Sequence, residues 1–252
     1  MSGDDPVAAV RAYFAAWNAG EDVGPFATGR LAELGALAAA VADPGELLRH
    51  EVDLRAAELD ARAEAEALVR VEGSVRTSFR DPYSGALVRR DESLAGPVKT
   101  LPVEGAWRVA DHCVGGRRVL AGLASDVEGA GSAGGLAARA VALHLAHGFT
   151  WLYLELASDR ADAVRVRRAN LHPRGLLPKR RGQVFGGASV PPGGRRIVVA
   201  GWRGSLGRLR GRVRLLAYGE AAEERVELRF AVRAEEADPA HREPLRIGAE
   251  RP

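Results

Sequence analysis

Three side chains in the first half of the chain are of types that together could run acid–base chemistry: Tyr13, His50 and Asp111. Asp111 lies in GAWRVADHC, residues 105–113, where a period of two puts it on the same strand face as Trp107 and Val109. If that face looks into a core, the carboxyl enters an apolar pocket, its pKa rises, and it can serve as general base or acid. His50 and Tyr13 also fall on inward faces and would act as proton partner or oxyanion donor. The same residues admit a purely structural role, with Asp111 bonded to Arg117 or Arg118 at a rim, Tyr13 filling core and His50 opening a strand. Cys113 shares the parity of Asp111 and reads as a small buried hydrophobe, while His112 falls on the opposite face.

Other chemistries find less support. With one cysteine in 252 residues there is no intrachain disulfide and no cysteine-based metal cluster. His144 and His147 sit three apart in a strand-like run, which points them to opposite faces, so no metal is assigned. GGLAARA at 134–140 lacks the Lys-Ser/Thr pair of a phosphate loop, and no cofactor is assigned.

The elements that position these residues are signalled locally. Asp4 or Asp5 can cap a helix with Pro6 in its first turn and Gly20 past its last. Val7, Val10, Phe14 and Trp17 recur at helical spacing, with Tyr13 beside them. A second helical region spans 30–42, and DPG at 43–45 stops it. From residue 49 the period becomes two: His50, Val52, Leu54 and Ala56 share one face, and the phase slips near Ala57 and Glu58. Leu59 then opens a new apolar series in which Val69, Val71 and Val75 face inward. Strands near 86–99 and 101–114 complete a helical lid over a curved antiparallel sheet.

Two stretches, PVAAVRAYFAAWNAGE at 6–21 and LAGPVKTLPVEGAWRVADHCVGGRR at 94–118, resemble the opening helix and closing strands of the nuclear transport factor 2-like (ketosteroid-isomerase-like) α+β cone. Gly105, Trp107, Arg108, Val109 and Asp111 carry the resemblance in the last strand. It covers residues 4–120 and implies a cone domain at 1–124. Catalytic cones of this type bring paired carboxylates, or an Asp with Tyr and His, into a deep pocket, and this chain offers only an incomplete set.

SDVEGAGSAGG at 125–135 reads as a flexible linker. After it, seven strand-like runs separated by turn signals suggest an all-β, immunoglobulin-like sandwich at 136–234. A charged, Pro-bearing tail at 235–252 reads as disordered. In TWLYLELAS, Leu152, Leu154 and Leu156 make the better core row, which leaves Trp151 and Tyr153 on the other face. Val164 and Val166 likewise leave Arg165 and Arg167 outside. If the strands are neighbours, Trp151, Tyr153, Arg165 and Arg167 form a binding surface of hot-spot composition, unless the first half of the chain covers it.

Residues 1–124 carry 14 basic and 19 acidic side chains, residues 136–252 carry 22 and 12. Of the 36 basic residues only Lys99 and Lys179 are lysine, so the arginine bias looks like codon usage and nucleic acid is not a favoured partner. No apolar run reaches the about 18 residues of a membrane span, and the acidic start does not resemble a signal peptide, so no membrane insertion and a cytoplasmic location are expected. The reading is a non-enzymatic two-domain module that contacts a protein partner and forms a homodimer through the cone sheet. The alternative is an isomerase, dehydratase or cyclase with a small-molecule ligand in the cone. That reading requires a cavity of roughly 300 Å³ or more with Asp111 in its wall. A third is a nucleic-acid-binding accessory protein.

Overall fold

Helix α1 (Pro6–Ala19) begins as its residues dictate. The Asp5 carboxylate accepts from the Val7 N–H at 2.9 Å, Pro6 occupies the first turn, and Gly20 closes the helix at φ 71°. A computed structural model describes residues 5–41, 48–81, 84–124, 126–146, 148–174, 179–185, 189–204, 209–221, 224–235 and 244–246. Val10, Tyr13 and Phe14 are the buried stripe of α1, and α2 (Gly29–Ala40) adds Leu31. Four strands follow in spatial order: β1 (Leu48–Arg62), β2 (Ala67–Arg80), β3 (Leu87–Val103) and β4 (Ala106–Asp111). The slip expected near Ala57 is a bulge between Leu54 and Ala56 opposite β2. Val69, Val71 and Val75 are buried, but Leu59, expected inward, is 49% exposed. Glu104 and Gly105 join β3 to β4 with φ 52° and 78°, the left-handed pair of a tight two-residue hairpin. A small hairpin of β5 (Cys113–Val114) and β6 (Arg117–Arg118) ends this half.

Strand makes up 63% of the structure and helix 16%, in two α-helices and with a sheet curled into a half-barrel. This corrects the α+β cone that the resemblance implied. The resemblance rested on two short stretches, whereas β1, β2 and β3 run for 15, 14 and 17 residues and set the balance of the first half.

The second half is β-rich and sandwich-like, as its strand-like runs suggested, but its strands form one continuous antiparallel sheet, which corrects the immunoglobulin-like pair of separate sheets. At its two edges stand β7 (Val127–Glu128) and β8 (Ala130–Ala133), within the stretch read as a linker. Between them run β16 (Arg225–Ala234), β15 (Leu209–Gly219), β11 (Val164–Pro173), β12 (Arg180–Phe185), β14 (Arg195–Arg203), β10 (Phe149–Ser158) and β9 (Leu136–Ala146), with β13 (Ser189–Val190) on β11. β7 pairs with β16 and β8 with β9, so one stretch of chain joins the two edges and the sheet closes around its own core. Gly129 permits this: a Cβ there would stand 2.6 Å from the Ala231 carbonyl oxygen. Leu152, Leu154, Leu156, Val226, Leu228, Phe230 and Val232 fill the interior on the alternation read from sequence. The expected tail at 235–252 lies largely outside the described residues, and within it Leu245 is buried. DPG at 43–45 and His147 also lie outside them.

Candidate functional site

A cavity of about 1160 Å³ lies between the helices, the first sheet, the β5–β6 hairpin and the outer face of β9, β10 and β14. The pairing of three strands builds its polar wall. His50 on β1 stands opposite Thr77 on β2, and Thr77 opposite Arg90 on β3, so their side chains share one face. His50 Nδ1 is 3.2 Å from the buried Thr77 Oγ1, and the Trp17 ring lies 4.6 Å from the His50 ring.

His112 forms a second polar point in the wall. Its ring is 5.4 Å from each of the Tyr13, Phe14 and Trp17 rings and only 1% exposed. Neither ring nitrogen has a hydrogen-bond partner in the protein. Burial pulls its pKa down to about 3, so the imidazole is neutral at pH 7, one nitrogen donating and the other accepting.

Asp111 is placed otherwise than the acid–base reading requires. It is 2% exposed and does not line the cavity. Its Oδ2 accepts from Arg118 Nε at 2.6 Å, and its Oδ1 accepts from the backbone N–H groups of His112 at 2.8 Å and Leu120 at 3.3 Å. The carboxylate thus ties the end of β4 to the hairpin and to the turn that follows. Tyr13 and His50 do reach the cavity wall, and burial, with the charge of Asp111 second, raises the Tyr13 phenol far above its ordinary pKa. Cys113 is half-buried, its thiol pushed up by burial and then by Asp111, with Arg118 opposing. His112 was expected on the outer face. β4 ends at Asp111, alternation stops there, and residues 111 and 112 are both buried.

The expected binding surface does not form. Trp151 and Tyr153 are buried, and Phe79 meets Phe149 at 5.0 Å and Trp151 at 6.0 Å between ring centroids, so the first half covers this row. Burial pushes the Tyr153 phenol up to about 12. Arg165 and Arg167 are exposed on β11, which β12 and β14 separate from β10. Arg165 pairs with Glu220 at 3.3 Å, and Arg167 stacks over Tyr218 at 5.1 Å. Much of the basic surface is likewise paired: Glu227 holds Arg214, Arg225 and Arg229, and the bonds from Arg214 and then Arg229 bring its pKa to about 2.

Among the described residues no group of three His, Cys, Asp or Glu is arranged to hold a metal, and no helix is long and apolar enough to cross a membrane. Comparison with known protein families, with curated proteins and with solved structures finds no match in any of the three.

Proposed function

We propose that the protein is a non-catalytic small-molecule-binding module whose ligand occupies the cavity between its two halves. The observation that carries this reading is the cavity itself, about 1160 Å³ with a wall in which the Trp17 and Trp151 rings and aliphatic side chains stand beside His50, Arg49, Arg90 and Arg117. The volume exceeds the roughly 300 Å³ at which small-molecule sites begin. Catalysis is not part of the proposal, because Asp111 does not line the cavity and both its oxygens already accept hydrogen bonds within the protein. The protein-contact reading loses its main support with the burial of Trp151 and Tyr153.

Thermal unfolding in the presence of a panel of small amphiphiles tests the reading. A ligand at a hundred times its Kd stabilises by about 2.7 kcal/mol, which raises Tm by several degrees. Leu34→Trp, which fills the cavity from α2, is expected to abolish the shift. A panel that leaves Tm unchanged, or raises it equally in L34W, overturns the proposal.

A further inference from the structure

Arginines on the open faces of this protein are commonly held by carboxylates, as Arg76 is by Asp91 and Arg139 by Glu155. The cavity differs. Arg49, Arg90, Arg117 and Arg118 line it, and of these Arg118 is committed to Asp111. Among the described residues Arg49, Arg90 and Arg117 have neither an ion-pair partner nor a side-chain hydrogen bond. Two carboxylates, Glu21 and Glu92, line the same space. Arg90 is the best placed of the three cations, since it is exposed, lines the cavity, and stands across from Thr77 in the row that continues to His50 one strand further on. A planar guanidinium matches a carboxylate, to which it gives two parallel N–H bonds. Away from this row the wall turns apolar, through Val75, Leu31, Val199 and the Trp17 and Trp151 rings.

We infer that the ligand is an amphipathic carboxylate, its head on the Arg90 guanidinium and its apolar body against Trp17 and Trp151. This rests on the ligand-binding reading above and adds the charge and chemistry of the ligand. Arg90 is exposed at the mouth, so the head is bound where water still reaches it, and its affinity falls with salt.

Decanoate and decan-1-ol share one apolar chain and differ in the head, and Trp17 and Trp151 report occupancy through their fluorescence. Decanoate is expected to bind the full-length protein about tenfold more tightly than the alcohol, and Arg90→Gln to remove that difference, on the scale of a charge-assisted hydrogen bond. Arg90→Lys retains part of it, and added salt weakens decanoate alone. Equal binding of acid and alcohol, or unchanged decanoate affinity in R90Q, overturns the carboxylate assignment and leaves the cavity reading standing. Binding of neither overturns both.

Discussion

Replacing Asp111 by alanine leaves a guanidinium that is only 14% exposed without its carboxylate, and strips the acceptor from two backbone N–H groups. Breaking a buried ion pair from one side costs about 3–5 kcal/mol, so D111A is expected to lower the free energy of unfolding in urea by that much. A catalytic aspartate on a cavity wall would instead leave stability nearly intact. His112 gives a different signature. It binds a proton near pH 6.5 when unfolded and near pH 3 when folded, so between these values the unfolded state holds more protons. Stability is therefore full above about pH 6.5 and declines as pH falls toward 3, by roughly 3–5 kcal/mol for this group. His112→Phe keeps the ring among its three aromatic neighbours, and acid denaturation of this variant is expected to lose that part of the slope. The inward face of Tyr13 on α1 was legible from spacing. The fate of Asp111 was not, because parity specifies a face only while a strand lasts, and nothing in ADHCV marks where the strand stops.

At the level of elements, period and punctuation carried furthest where one face meets a core. The alternation in RVELRFAVR and in Val69, Val71 and Val75 matches their burial, and Asp5, Pro6 and Gly20 mark the ends of α1. The stretch 125–135 misled for a physical reason. Glycine that lets a backbone approach another strand is the same residue as glycine in a loose tether, and Gly129 and Gly131 are of the first kind. Gly129→Ala is expected to destabilise by about 1–3 kcal/mol, the cost of forcing a methyl group against fixed backbone, measured as a shift in the urea midpoint with little change in slope. An insertion-tolerant linker would show no such effect.

Across the whole molecule, β10 works on both its faces. Leu152, Leu154 and Leu156 lie in the core of the closed sheet, while Phe149, Trp151 and Tyr153 share a core with α1 and β2. Sequence separated these rows correctly but cannot say what covers the aromatic one, since burial by a distant segment leaves no local period. Trp151→Ala is expected to cost about 3–5 kcal/mol. Far-ultraviolet circular dichroism and tryptophan fluorescence should report one coincident transition, where halves joined by a loose tether would melt separately. The joining of the sheet edges by residues 127–133 has a further consequence, for synthesis. β8 meets β9 a few residues later, but β7 must wait for β16, which emerges from the ribosome almost a hundred residues afterwards. Until then the nascent chain presents open strand edges, and until β10 appears Phe79 lacks its aromatic partners. Completion depends on the final strand, and the interval before it arrives is when the chain is most exposed to pairing with its neighbours.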